Sequence, residues 1–326
     1  MIFIIVAASL LVIWLLIHAV TGLGFQQFTQ MRLYHFPKET LADFLLRTGT
    51  FTKEKYESMS PREVQTLSSD GLLLNGQIFE PYPNSGRWVL IAHGYTLSLR
   101  ASMEFAALFE EKGFNMLLID QRRHGKSQGK YTTLGYREKL DIKVWVDYLI
   151  DRFGPDIKVG LHGQSLGGAT ILEYLSMADP VVKFAVADCA FSDLNELLCY
   201  QITSLIKLPH FPFIRLLDRK LYAKFGFRLE EVSPIKSVTN CRQPILFIHG
   251  EADRYVPAYM SRRMYEAKPG VKELVLIPGA NHAVAYNVDP KRYKEAIHRF
   301  VDEHIVQQEL AHVDIVHSFS LARTKI

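Results

Sequence analysis

Residues 158–168 read KVGLHGQSLGG, and this stretch decides the fold. Its first five residues form a short run typical of a β-strand, and a helical stretch begins near Gly168. Between them lies Gly163-Gln164-Ser165-Leu166-Gly167, a G-x-S-x-G pattern. Glycines permit the tight backbone of a strand-to-helix turn, which raises a serine hydroxyl above the sheet. The pattern in this context predicts that Ser165 is a nucleophile.

The sequence on either side of this strand predicts the other strands of a sheet. From Trp88 onward, short apolar runs alternate with longer amphipathic stretches, which indicates a parallel sheet covered by helices on both faces. Ser69-Asp70-Gly71 separates two further β-rich runs and predicts a hairpin. We therefore expect an α/β fold with a mostly parallel, eight-stranded sheet. Its predicted strands are Val64–Leu67, Leu72–Phe79, Trp88–Ala92, Asn115–Asp120, Lys158–His162, Phe184–Asp188, Ile245–His249 and Glu273–Ile277.

A serine hydroxyl is a poor nucleophile unless a base accepts its proton. His282 is the candidate base, since it lies in a loop after the last predicted strand. An imidazole in turn needs a carboxylate that orients it. Asp253 follows the preceding strand and gives the order Ser165, Asp253, His282, whereas Asp188, at the end of an earlier strand, is the alternative acid.

An acyl-transfer site also needs two fixed donors for the oxyanion. One candidate is the backbone N–H of Leu166, the residue after the nucleophile. The other is the backbone N–H of Tyr95, because His93-Gly94-Tyr95 directly follows an early predicted strand. The side chain of Tyr95 need not take part in this contact.

The N-terminus has a different composition from the rest of the chain. Ile2–Val20 contains no Asp, Glu, Lys or Arg, and a helix of about 20 apolar residues spans a bilayer. We expect a transmembrane anchor over residues 1–24; a cleaved signal peptide and a core helix are the alternatives. Lys and Arg near the span lie only on its C-terminal side, from Arg32 onward, which predicts a cytoplasmic catalytic domain.

The remainder divides into a juxtamembrane connector over residues 25–62, an α/β domain with the candidate nucleophile over residues 63–307 and a tail over residues 308–326. Residues 192–227 interrupt the alternation with an aromatic and aliphatic stretch that contains no evident strand. We interpret this stretch as a helical cap over the site, with a plain surface excursion as the alternative. Phe211 and Phe213 lie between or beside prolines within it, and we expect them to control substrate size.

Composition excludes several other classes of function. The chain of 326 residues has 38 basic and 34 acidic side chains, a balance that does not predict nucleic-acid binding. Its three cysteines are an odd number without C-x-x-C spacing, which predicts neither a disulfide framework nor a cysteine metal site.

The sequence resembles the α/β-hydrolase superfamily, especially its bacterial lipase-like and serine-aminopeptidase-like members. The matching motifs are His93-Gly94, residues 120–127 (DQRRHGKS), Gly163–Gly167, His249-Gly250 through Asp253, and His282. Two positions depart from the family pattern: Arg123 replaces a glycine, and Gln164 replaces the histidine that lipase-like members often carry. The first lies in a mostly structural segment, and the second weakens a lipase assignment.

The resemblance implies a serine hydrolase with neither a metal nor an organic cofactor. It implies attack by Ser165 on an acyl carbonyl, and we expect a small carboxylic ester or acyl compound as substrate. A peptidase or amidase acting through the same triad is the alternative. A non-catalytic binding module is a third interpretation, which a broken triad would favour; here every member is present.

Overall fold

The computed structural model describes residues 1–31 and 57–306. Eight strands form one sheet in the order β1-β2-β4-β3-β5-β6-β7-β8. They are β1 (Arg62–Leu67), β2 (Leu73–Phe79), β3 (Arg87–Ala92), β4 (Asn115–Ile119), β5 (Lys158–Gln164), β6 (Val182–Asp188), β7 (Ile245–Gly250) and β8 (Lys272–Ile277). All eight predicted strands are confirmed. The sequence predicts them because each is a run of strand length bounded by turn residues, which is a local pattern.

The described helices connect and cover these strands. They are α1 (Ile2–Gln30), α2 (Met103–Glu110), α3 (Glu138–Phe153), α4 (Leu166–Leu175), α5 (Leu194–Tyr200), α6 (Phe213–Phe225), α7 (Pro234–Thr239), α8 (Tyr259–Ala267), α9 (Ala285–Val288) and α10 (Pro290–Val301). Short π-helical turns follow α5 and α10, at Gln201–Leu205 and Asp302–Val306, and a 3-10 turn spans Leu229–Glu231.

Strand β2 runs antiparallel to both of its neighbours, β1 and β4, and every other neighbouring pair is parallel. The hairpin between β1 and β2 closes through Ser68, whose hydroxyl donates to Asp70 and accepts from the Leu72 amide. The parallel strands end at one edge of the sheet, where the loops after β3, β5, β7 and β8 come together.

Both faces of the sheet are buried. Along β3, Trp88, Leu90 and Ala92 pack into one apolar cluster with Trp145 of α3. Val89 and Ile91, which point to the opposite face, join a second cluster with α2 and α10. Because successive side chains alternate between faces, a strand covered on both sides must be apolar throughout. This explains the continuous apolar runs in the sequence.

A helical insertion separates β6 from β7 and includes α5, α6 and α7. Helix α6 buries Ile214, Leu217 and Leu221, which recur every three or four residues and therefore share one face. They belong to a third apolar cluster that also contains leucines of α5 and Leu166 of α4. The insertion thus packs against the carboxyl end of β5.

The N-terminal part of helix α1 is apolar and exposed, whereas its C-terminal part packs against the hydrolase domain. Its residues 2–16 are exposed, but Thr21 and Thr29 are buried and Phe25 stacks on Phe225 of α6 with ring centroids 5.9 Å apart. The helix therefore continues past residue 24, where the sequence suggested that the anchor ends. Residues 32–56 of the predicted connector and the predicted tail over residues 308–326 lie outside the described residues.

Candidate active site

Ser165 occupies the turn between β5 and α4 with φ 53° and ψ −114°. Its amide donates to the carbonyl of Asp188 on the neighbouring strand at 2.7 Å. A Cβ atom added to Gly163 would lie 2.4 Å from the backbone of Gly167, and one added to Gly167 would lie 2.1 Å from the carbonyl oxygen of Ala92. Only glycine fits at either position, so close backbone packing holds the serine in this sparsely populated conformation.

The three side chains predicted to cooperate meet at this turn. Oγ of Ser165 lies 2.9 Å from Nε2 of His282, and Nδ1 of His282 lies 2.6 Å from Oδ2 of Asp253. They come from the loops after β5, β8 and β7, which are adjacent because the parallel strands end at the same edge. A continuous hydrogen-bond chain of this kind can carry a proton away from a hydroxyl.

The carboxylate of Asp253 is buried and heavily hydrogen-bonded. Oδ1 accepts from the amides of Tyr255 and Val256 at 2.8 and 2.9 Å. Burial alone would raise the pKa of this carboxyl, but hydrogen bonds from His249 and His282 outweigh it and hold the pKa well below its ordinary value. Asp253 is therefore ionised at neutral pH and fixed in orientation.

His249 is a second partner of Asp253, which sequence reasoning used only as a family mark. Its Nε2 lies 2.8 Å from the carbonyl of Val256 and 3.2 Å from Oδ2 of Asp253. These acceptors assign the proton to Nε2, so Nδ1 accepts from the hydroxyl of Ser261 at 2.7 Å. The signal in the sequence was its place at the end of β7, four residues before Asp253.

The alternative acid, Asp188, has different partners. Its Oδ2 accepts from Nε2 of Gln164 and from the hydroxyl of Tyr293, both at 3.3 Å. Within the described part of the chain it makes no hydrogen bond to His282. Burial raises the pKa of Asp188 to about 6, because few donors compensate for the loss of water. The geometry favours Asp253 over Asp188 as the carboxylate beside the imidazole.

The loop after β3 lies directly beside the nucleophile. A Cβ atom added to Gly94 would lie 3.5 Å from Cβ of Ser165. Neither the Tyr95 amide nor the Leu166 amide donates a hydrogen bond to a described residue. Leu166 also opens α4, and the first amides of a helix lack partners within it. Both N–H groups are thus available to an incoming acceptor.

Residues 120–127 hold the loop after β3 in place through hydrogen bonds. Asp120 accepts from the Leu99 amide at 2.8 Å, and Nε2 of His124 accepts from the Thr96 amide at 3.3 Å. The Gln121 amide donates to Nε2 of His93 at 3.1 Å. Burial lowers the pKa of His93 to about 4 and that of His124 to about 3, so both rings stay neutral and can accept.

A small cavity opens beside Ser165, with a volume of about 50 Å³. Its wall is apolar and is formed by Phe28, Tyr95, Leu134, Leu166, Phe191, Leu194, Leu197, Leu198, Gln201, Tyr255 and Val256. Contrary to the expectation from the sequence, neither Phe211 nor Phe213 belongs to this wall, and Phe211 is 62% exposed. Helix α5 supplies the apolar surface instead, because its leucines face the nucleophile turn.

One trio at the site has metal-ligand chemistry: donor atoms of Cys189, Asp253 and His282 lie within 4.8 Å of one another. Burial raises the pKa of the Cys189 thiol well above its usual range, so it stays protonated and is a poor ligand. Asp253 and His282 already bind each other. The arrangement suits proton transfer better than metal binding.

A family model described as the alpha/beta hydrolase fold matches residues 87–211, which include the loop after β3 and the nucleophile turn. The crystal structure of the Pyrococcus furiosus esterase Pf2001 superposes with a TM-score of 0.62 at 26% identity, covering 78% of this chain and 97% of that one. The chain belongs to the α/β-hydrolase superfamily.

Two Bacillus subtilis proteins are similar to this chain in sequence. The uncharacterised YqkD is 32% identical over 299 residues, which cover 90% of this α/β hydrolase and 96% of YqkD. YitV, whose name marks it as a candidate esterase, is 26% identical over 198 residues, covering 55% of this chain and 72% of YitV. By its likeness to YitV and to the Pyrococcus furiosus esterase, the chain is an esterase-like hydrolase.

Proposed function

We propose that this α/β hydrolase cleaves carboxylic esters through an acyl-enzyme on Ser165. The observation that carries the proposal is the hydrogen-bond chain from Ser165 through His282 to Asp253, with separations of 2.9 and 2.6 Å. It supplies the nucleophile, the base and the orienting carboxylate that acyl transfer requires.

In the first half-reaction, Nε2 of His282 takes the proton of Ser165 as Oγ bonds to the acyl carbon. The carbonyl electrons move onto oxygen, and the resulting oxyanion accepts from the amides of Tyr95 and Leu166. When the tetrahedral intermediate collapses, the bond to the alcohol oxygen breaks and His282 returns the proton to the leaving alcohol. Water then repeats the sequence on the acyl-enzyme and releases the acid.

Asp253 does not exchange a proton in this scheme. Its Oδ2 accepts from Nδ1 of His282, which leaves Nε2 unprotonated and directed at Ser165. The low pKa of Asp253 keeps its charge in place, and that charge stabilises the imidazolium formed after proton transfer. His249 holds the same carboxylate from its other side.

The pocket wall favours esters over peptides. An aminopeptidase needs a carboxylate that binds the free amine of its substrate, and none lines the cavity among the described residues. The wall is instead leucine and aromatic, which suits an acyl chain. An amidase activity on the same triad remains the second candidate function. A non-catalytic binding module is disfavoured because all three triad side chains are in hydrogen-bonding positions.

A panel of nitrophenyl esters beside aminoacyl-anilides tests the function. We expect hydrolysis of the esters with kcat/KM at least about 100-fold above that for any anilide, because the cavity offers no partner for an ammonium group. The measurement is initial rates with purified full-length protein in detergent. Preferential cleavage of the anilides would assign the chain to the peptidase alternative.

We also infer that α1 holds the hydrolase domain at a membrane, with the anchor over residues 1–24 and the domain in the cytoplasm. By length and composition α1 is the one helix among the described residues that can cross a bilayer, although a signal sequence passes the same test. Its exposed residues 2–16 carry no charge, and the downstream Lys and Arg favour the cytoplasmic side for the domain.

Fractionation of cells tests this placement. The full-length protein should remain in the membrane pellet after a carbonate wash, begin at or near Met1, and resist protease added to intact cells. A mature chain that starts near residue 22 would identify a signal peptide. Digestion of the domain in intact cells would show the opposite orientation. Release by carbonate would show that α1 is a peripheral helix.

A further inference from the structure

The hydrolase domain binds the C-terminal end of α1 through hydrogen bonds. The last four carbonyls of an α-helix cannot all be satisfied within the helix. In α1 the domain contacts all four of them: the Tyr95 hydroxyl donates to Gln27 at 2.6 Å and lies 3.3 Å from the carbonyl of Phe28, the Thr132 amide donates to Thr29 at 2.9 Å, and Nη2 of Arg123 donates to Gln30 at 2.8 Å. Gln27 also accepts from the Met31 amide at 3.0 Å, whereas the carbonyls of Phe28, Thr29 and Gln30 have their contacts, among the described residues, with the domain alone.

Arg123 is the position where the family pattern has glycine, and its backbone explains that preference. Its φ of 70° lies in the left-handed region, which disfavours every residue with a Cβ atom. This chain nevertheless places an arginine there, and the guanidinium reaches the end of α1. A cation at the C-terminus of a helix also interacts favourably with the helix dipole.

The same end of α1 reaches the catalytic pocket. Phe28 lines the cavity beside Ser165, as do the leucines of α5. Tyr95 links the two features, because its amide is the proposed oxyanion donor and its hydroxyl binds the carbonyls of Gln27 and Phe28. The docked helix therefore supports the oxyanion loop as well as closing the pocket.

We propose that Phe28, in the last turn of α1, completes the apolar wall of the acyl site together with the leucines of α5, and that Phe28 determines which acyl groups the site accepts. This inference rests on the ester hydrolysis at Ser165 proposed above. One water molecule needs roughly 10–15 Å³ of cavity volume. The cavity beside Ser165, with about 50 Å³, therefore holds only a few groups of that size. We therefore expect the site to prefer esters of short acyl groups.

Substitution of Phe28 in the full-length chain tests the proposal. Phe28→Ala should raise the ratio of kcat/KM for nitrophenyl octanoate over nitrophenyl acetate by at least about 10-fold, since each methylene admitted to an apolar pocket contributes roughly 10-fold or more. Phe28→Trp should move the ratio of butyrate over acetate in the opposite direction. The matched control is Leu23→Ala on the same helix, where the side chain is 62% exposed and should leave both ratios unchanged.

Because Phe28 is only partly buried, neither substitution is expected to unfold the domain, and fluorophosphonate labelling of Ser165 reports that the site is intact. Opposite shifts for the two variants support the proposal. Labelled variants whose ratios match that of Leu23→Ala would overturn it and leave ester hydrolysis standing. If the unsubstituted chain is neither labelled nor active on any ester, the proposed function itself fails, and this inference fails with it.

Discussion

Ser165→Ala is expected to abolish labelling by a fluorophosphonate and to lower kcat for ester hydrolysis by a factor on the order of 10⁶. The hydroxyl hydrogen-bonds with Nε2 of His282 at 2.9 Å, and removing it eliminates the acyl-enzyme route. The residual rate would be roughly 10³–10⁴-fold above the uncatalysed rate in water, because the oxyanion donors and substrate binding remain. Labelling followed by peptide mapping, together with steady-state rates, provides the measurement.

The matched control is Ser102→Ala. Ser102 is also a buried serine, but its hydroxyl has no hydrogen-bond partner among the described residues, so its loss should cost little. We expect normal labelling and near-normal rates for this variant. A Ser165→Ala protein that is still labelled and still turns over esters would show that another residue is the nucleophile.

Asp253→Asn is expected to lower kcat by a factor on the order of 10⁴ while leaving the fold intact. An amide at this position can still accept from the backbone amides of Tyr255 and Val256, so the loop keeps its contacts. It loses the negative charge that stabilises the imidazolium, and it can present N–H to His282, which favours the wrong tautomer. The loss should appear in kcat more than in KM.

Asp188→Asn is the control for this substitution, because both carboxyls are buried and both follow or end a strand. Asp188 binds Gln164 and Tyr293 instead of the imidazole, so its replacement should change kcat by less than about 10-fold. Thermal unfolding of both variants separates lost activity from lost structure. A larger loss with Asp188→Asn than with Asp253→Asn would reverse the assignment of the acid.

The sequence alone determined the sheet and the order of the reactive residues. Both rest on local patterns: apolar runs of strand length, turn residues between them, and glycines that only a tight strand-to-helix turn requires. Ser165, Asp253 and His282 could be named as candidates because parallel strands bring their following loops to one edge. Their catalytic roles remain predictions that the variants above test.

Two features depended on tertiary structure. Asp188 and Asp253 both follow apolar strands, and only the packing shows that Asp188 turns towards Tyr293 while Asp253 meets His282. The pocket wall could not be read from sequence either: Phe28 and Ser165 are far apart in the chain, whereas Phe211, chosen for its place in the insertion, faces solvent. Residue pattern specifies which face of an element is apolar, but the neighbour that covers this face is decided when the elements pack.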